Sequence, residues 1–159
     1  MKPCPGGCES IEACSCSHEQ LSRYKNKLSA PLLDRIDIQI ELPRLSKNEL
    51  LNQKIEQQEN SQSVRQRVTR ARQLQLTRQG CLNGQMNNQQ IEDICQLDQA
   101  SRQLLNQAID KLKLSARSYH RLLKLARSIA DLAGQPAITV SCISEAIHYR
   151  RSPLLQRSR

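Results

Sequence analysis

At 159 residues and a net charge of +9, the chain suffices for one domain or for part of a larger one. It contains no Phe or Trp and only three Tyr. A core must then be assembled from Leu, Ile, Val and Ala, which suits helix packing and tells against a β-sandwich or an aromatic base-stacking platform.

No apolar run nears the roughly 18 residues a bilayer-spanning helix needs, and residues 1–16 lack the basic-then-apolar pattern of a secretory leader. A soluble, cytoplasmic protein is expected. Its seven cysteines are then reduced thiols or metal ligands rather than disulfides. Residues 3–16 read as a loop rich in Pro, Gly and Cys. Cys4, Cys8, Cys14 and Cys16 can supply four thiolates to a tetrahedral zinc ion. Cys-x3-Cys with Cys-x-Cys is a weaker pattern than paired Cys-x2-Cys knuckles, and a loop of free thiols is the alternative.

From His18 to Leu28 the spacing of Leu21, Tyr24 and Leu28 is helical, and Pro31 ends that helix. The chain then runs through Ser29, Ala30, Pro31, Leu32, Leu33, Asp34 and Arg35 into an alternating series, Ile36, Ile38, Ile40 and Leu42. That alternation predicts a half-buried strand stopping at Pro43. Arg35 stands at the strand's mouth, a rigid mounting for a guanidinium that must reach a phosphate on a neighbouring molecule. A surface Asp34–Arg35 pair is the plainer alternative. Ser46 and Glu49 have the spacing of a capping box. Residues 52–63, rich in Gln, Asn and Ser, read as a linker.

A helix is predicted from about Ser63 to Gln79, with an apolar line of Val64, Val68 and Ala71. Arg65, Arg67, Arg70, Arg72 and Arg78 lie on both sides of that line rather than in one stripe, as on a solvated helix. Gly80 and Asn83-Gly84 break it. Further helices are expected near 88–95, 98–112, 116–133 and 140–150, the last after a Gly134-Gln135-Pro136 stop. Short connections between them predict a helical bundle. Cys81, Cys95 and Cys142 are isolated and read as packing residues.

Charge is uneven. Residues 1–60 hold eight Lys/Arg against nine Asp/Glu, whereas residues 61–159 hold sixteen against six, a balance of +10. Such asymmetry favours a polyanion for the C-terminal portion. With so few aromatics, any nucleic-acid contact is expected to be to backbone phosphate and indifferent to sequence. A basic, merely soluble domain is the alternative.

The helix after Ser115 is the most instructive. Ser115 suits an N-cap, Leu114 and Tyr119 occupy staple positions, and Tyr119, Leu122, Leu123, Ala126 and Ala130 form the stripe to be buried. Arg117, Arg121 and Lys124 point nearly opposite. Arg117 falls in the first turn, where the helix dipole disfavours a cation, with Lys111 and Lys113 close before it. A bound anion at the helix N-terminus explains that concentration; a solvated basic face is the alternative.

Taken in order, Pro3-Cys4-Pro5-Gly6-Gly7, Cys14-Ser15-Cys16, the Ser29–Ile38 segment, Leu114 to Leu132, and Glu145-Ala146-Ile147-His148-Tyr149-Arg150 resemble the C-terminal part of the ComM/YifB-type magnesium-chelatase-like AAA+ proteins of bacteria. The resemblance runs from about residue 2 to 150. It implies a mainly α fold, a helical lid bundle preceded by a Cys-rich loop, a helix and a short strand from the end of a AAA+ core. The corresponding division is a Cys-rich loop at 1–17, the end of the core with its linker at 18–60, the lid at 61–151, and a basic tail at 152–159. The resemblance also implies ATP and Mg²⁺ in the full-length assembly, a ring, hexameric in the family, and a DNA-translocating motor for branch migration in natural transformation. Arg35 is similar to the arginine finger that acts on the next subunit's ATP. Arg117, within Ser-Ala-Arg, is similar to the sensor-2 arginine that acts within its own subunit. Arg121, Lys124, Lys111 and Lys113 remain candidates for backbone phosphates.

No Gly-x-x-x-x-Gly-Lys-Ser/Thr occurs, nor an apolar strand ending in acidic residues for Mg²⁺. The family carries both upstream, so this chain reads as a C-terminal piece, inactive in ATP hydrolysis by itself. The family's sensor-1 Asn is replaced by Lys2, which cannot position water as a carboxamide does. Two alternatives stand beside this reading: a magnesium-chelatase subunit acting on a porphyrin, which the Cys-rich opening disfavours, and a non-enzymatic, DNA- or partner-binding helical module.

Overall fold

The computed structural model describes residues 16–17, 19–20, 22–23, 35–40, 59–112 and 114–150. The chain divides into two units, Met1–Gln53 with Ser152–Arg159, and Lys54–Arg151.

In the first unit, residues 19–20 and 22–23 are helical, within the span the spacing predicts. Ser17 and Gln20 cap that turn reciprocally. The Ser17 amide donates to Gln20 Oε1 at 3.0 Å and the Gln20 amide to Ser17 Oγ at 3.3 Å. Arg23 pairs with Glu19 at 2.6 Å across one helical turn, with both side chains exposed. The expected strand is not formed over the described residues 36–40. Ile36, Ile38 and Ile40 are exposed while Asp37 and Gln39 between them are half-buried, so the period of two persists without a covered apolar face. The remainder of that predicted strand, the capping box at Ser46 and most of the linker lie outside the described residues.

The second unit is helical. Helix α1 spans Ser61–Gln79, α2 Asn88–Ile94, α3 Gln99–Leu112, α4 Ala116–Leu132 and α5 Val140–Arg150, with one 3-10 turn at Asn83–Gln85. Local chemistry fixes most ends. Asn60 Oδ1 accepts from the Ser63 amide at 2.8 Å, which starts α1 two residues earlier than the linker reading placed it. Gly80, at φ 74°, closes α1 in the left-handed conformation. Asn87 and Gln90 form a capping box on α2. Asp98 accepts from the Ser101 amide at 2.7 Å at the start of α3, a bond that holds this exposed carboxyl below its ordinary range.

Helix α4 ends in a Schellman arrangement. The Gly134 amide donates to Asp131 O and the Gln135 amide to Ala130 O, with Gly134 at φ 67°. Leu97 and Ile138 form one isolated parallel bridge that ties the segment before α3 to the segment before α5.

Helix α4 is the centre of this unit, packing on α1, α2, α5 and the 3-10 turn, while α3 packs on α5. The four expected aliphatic residues of its stripe, Leu122, Leu123, Ala126 and Ala130, are buried, and Tyr119 is half-buried at its edge. Ala126 and Ala130 on α4 and Ala146 on α5 are small enough for close helix approach, and Leu105, Leu122 and Ile143 fill the centre. Each such large side chain contributes about 1.5–3 kcal/mol on burial. Cys95 and Cys142 are buried and Cys81 packs half-buried against the same cluster.

Helix α1 departs from its predicted apolar line. Ala71 and Gln75 are its buried residues, whereas Val64 and Val68 are exposed and all of residues 61–70 lie in solvent. Only the C-terminal half of α1 meets the bundle, so the N-terminal half of the line has nothing to pack on among the described residues.

Candidate functional site

The N-terminus of α4 is built as the sequence indicates. Ser115 Oγ accepts from the Ser118 amide at 3.2 Å, and the Ser115 and Ser118 hydroxyls meet at 3.1 Å. Leu114 and Tyr119 both pack against the core, which fixes the angle at which the chain enters the helix. Arg150, at the last position of α5, reaches across and donates from Nη2 to Ser118 Oγ at 3.2 Å. Ser118 is thereby buried, and the ends of two helices are joined at one point.

Arg117 stands beside this junction, exposed, with no hydrogen bond or ion pair to any described residue. The first-turn amides of a helix are orphan donors and carry the positive end of its dipole. An exposed guanidinium held there raises that potential further, and the combination can bind a phosphate or carboxylate oxygen by charge-assisted hydrogen bonds.

The other candidates fall in different settings. Arg121 and Lys124 are half-buried rather than fully outward, and Lys124 Nζ donates to Gly84 O at 3.1 Å, bracing α4 against the 3-10 turn. Lys111 is exposed in the last turn of α3, where the negative end of that helix dipole favours it without any ligand. Lys113, Cys4, Cys8 and Cys14 lie outside the described residues, as does Lys2. Cys16 is half-buried, and no cluster of three or more metal-ligating side chains occurs among the described residues. Arg35 is exposed at a turn in the other unit.

Sequence reasoning passed over the most tightly bound charged group among the described residues. Asp131, near the end of α4, is 5 % exposed and Arg127, one turn earlier, is 2 % exposed. Arg78 of α1 grips Asp131 with a two-pronged fork, Nη1 to Oδ1 at 2.7 Å and Nη2 to Oδ2 at 3.0 Å. Arg127 Nε donates to Oδ1 at 3.1 Å, and Asn83 Nδ2 donates to Oδ2 at 2.8 Å. The remaining Arg127 donors close the loop beyond α4, Nη1 on Pro136 O at 3.0 Å and Nη2 on Gln135 O at 2.7 Å. Gln135 continues inward, its Oε1 accepting from Cys142 Sγ at 3.3 Å.

Burial by itself would raise the Asp131 carboxyl. The hydrogen bonds from Arg78 and Asn83 and the charges of Arg127 and Arg78 outweigh it and hold the group below its ordinary value. Fourteen residues along a helix separate Asp131 from Arg117, about 21 Å at 1.5 Å per residue. The network therefore belongs to the frame, joining α1, the 3-10 turn, α4 and the loop into α5. Its signal was present in the sequence: Arg127 follows Leu123 by four and precedes Ala130 by three, on the buried phase of the helix.

Among the described residues no helix is long and apolar enough to cross a membrane. The family model for "Magnesium chelatase, subunit ChlI C-terminal" matches residues 58–150, and that for "Magnesium chelatase, subunit ChlI" matches residues 1–50. Over 150 residues the chain is 40 % identical to the competence protein ComM of Haemophilus influenzae and 38 % identical to the protein YifB of Escherichia coli. A protein of Mycobacterium tuberculosis is 30 % identical over 154 residues. In each case the match covers 94 % of this chain, and it spans 29 % of the length of the first two relatives and 30 % of the third.

Proposed function

The chain belongs to the magnesium-chelatase-like family, as a protein of the ComM/YifB type, and on that premise we propose that it is the sensor and lid segment of a AAA+ ATPase that drives DNA translocation in a ring. The placement of Arg117 carries the reading. It is exposed beside orphan amides at the positive end of α4, with no partner of its own among the described residues, so its chemistry is directed at a ligand rather than at the fold.

That setting fits a nucleotide phosphate. ATP, bound with Mg²⁺ in the full-length assembly, supplies the terminal phosphoryl group on which charge builds during hydrolysis. Arg117 stabilises that charge from the lid of its own subunit, and the Ser115–Ser118–Arg150 junction holds the first turn of α4 in place beneath it. Arg35, at an exposed turn, acts on the site of the adjacent subunit as an arginine finger. DNA is held through its backbone phosphates by the basic C-terminal portion, with Lys111, Lys113, Arg121 and Lys124 among the contacts. Cys4, Cys8, Cys14 and Cys16 bind a structural zinc ion. The relative named as a competence protein favours the DNA motor over the magnesium-chelatase alternative.

The test is ATP binding and turnover by the full-length protein. Arg35→Ala should leave nucleotide binding nearly unchanged while turnover falls by about 10³–10⁵. Arg117→Ala should weaken binding as well as turnover. Wild-type turnover in both variants would refute the reading.

A further inference from the structure

Helix α1 carries five arginines and no acidic residue over Ser61–Gln79. A solvated helix ordinarily offsets its charges with opposite ones three or four residues away, whereas like charges at that spacing are unfavourable. Arg67 and Arg70 are such a like-charged pair. Two of the five have partners: Arg78 is held by Asp131, and Arg67 forks onto Glu59 at 2.6 and 3.1 Å. Arg65, Arg70 and Arg72 are exposed and have none among the described residues.

Their arrangement is specific once α4 fixes the helix's rotation. Ala71 and Gln75 face the bundle. At about 100° per residue, the centre of the opposite face is a row of uncharged polar side chains, Gln62, Gln66, Thr69 and Gln73, with exposed Leu76 at one edge. Arg65 and Arg72 border that row on one side and Arg70 on the other. All seven are exposed, and the first ten residues, about 15 Å of helix, stand clear of the bundle.

We propose that this outward face of α1 is a docking surface for double-stranded nucleic acid, with Arg65, Arg70 and Arg72 contacting backbone phosphates. A helix about 10–12 Å across matches a B-form major groove about 12 Å wide. Arginines on both flanks then meet the phosphates of both strands while the Gln/Thr row faces the groove floor. Arginine presents a planar fork of donors suited to phosphate, and α1 uses it without a single lysine. An acidic protein partner is disfavoured because a protein interface needs a cluster of apolar or aromatic anchors at its centre, and the outward face offers one exposed apolar side chain, Leu76, at its edge.

The inference deepens the reading of DNA as the partner and rests on it. The experiment is binding of the whole chain to a fluorescein-labelled random-sequence DNA duplex, titrated with salt. Arg65→Gln/Arg70→Gln/Arg72→Gln should reduce the slope of log K against log salt by about 2–3 and weaken binding at low salt about tenfold or more, with unchanged circular dichroism. Glu59→Gln, which releases Arg67 on the bundle side of α1, should leave the slope nearly unchanged. Lys111→Gln/Arg121→Gln and labelled polyglutamate are the comparisons. If the wild-type chain fails to bind duplex at low salt, the DNA reading falls and this surface with it. If duplex binding survives the triple substitution but falls in Lys111→Gln/Arg121→Gln, DNA remains the partner and α1 is not its surface. Loss of polyglutamate binding alone in the triple variant would assign the face to an acidic protein and overturn the proposal.

Discussion

Replacing Asp131 with Ala tests how the lid is held together. The substitution strips Arg78 of both prongs of its fork, Arg127 of its carboxylate and Asn83 of an acceptor. Arg127 is 2 % exposed, so water cannot compensate it. Removing one partner of a buried ion pair costs about 3–5 kcal/mol, a large share of the 5–15 kcal/mol typical of a folded domain. Arg78→Met should cost less, because its side chain is 30 % exposed and α1 can detach locally. Arg127→Met/Asp131→Leu should recover part of the loss, since apolar replacement of a buried pair is often neutral. Recovery stays incomplete because the Gln135 and Pro136 carbonyls lose their donors.

Urea unfolding followed by far-ultraviolet circular dichroism measures each variant. The pH dependence supplies a second readout. The Asp131 carboxyl is depressed in the folded state from a reference near 3.8. Its contribution is therefore fully present above that value and is lost as pH falls through the lower folded value. Asp131→Ala should flatten that part of the acid limb. A loss below about 1 kcal/mol near neutral pH would show the network to be a surface ion pair in energetic terms and would refute the reasoning.

Two further expectations concern the cysteines. Burial, the largest influence on Cys95, pushes its thiol up to about 11 against the lowering effect of the Arg127 charge. Cys95 and buried Cys142 should therefore react with an alkylating reagent well after half-buried Cys81. Site-resolved mass spectrometry reads the order, and equal native-state rates would contradict the packing. If Cys4, Cys8, Cys14 and Cys16 hold zinc, protein prepared reduced and zinc-replete should carry a single ion by elemental analysis. Chelation should leave the α1–α5 bundle folded, and absence of metal would exclude the site.

The helical unit was legible where local chemistry decides structure. Ser115 as N-cap, the Leu122–Ala130 stripe and the stop at Gly134 are all encoded within a few residues of where they act. Helix α1 was legible as a helix but not in its packing. Whether Val64 and Val68 are covered depends on where α4 lies, and that information is absent from a periodic pattern. The Arg78–Asp131 fork joins residues 53 apart in sequence, so spacing could place Arg127 with Asp131 but could not supply Arg78. The Ile36–Ile40 alternation has the period of a strand, yet residues 36–40 form none, so a period of two does not by itself make a ladder. Arg117 was singled out because a cation in a first turn contradicts the helix dipole, a conflict between local rules of the kind that marks functional positions. Lys111 satisfies the dipole at the end of α3, which weakens its claim.

Arg35 and Arg117 are assigned to different subunits of a ring, and that division can be measured. The direct measurement is ATP turnover in mixtures of two inactive forms of the full-length protein, one carrying Arg35→Ala and the other disabled in the P-loop that the family places upstream. A finger acting across the subunit boundary should restore activity as the two are mixed, because an intact Arg35 can then face an intact P-loop. Substituting Arg117→Ala for Arg35→Ala in the same mixture should restore none, since that defect stays with the subunit whose P-loop is intact. Restored turnover in both mixtures, or in neither, would contradict the assignment.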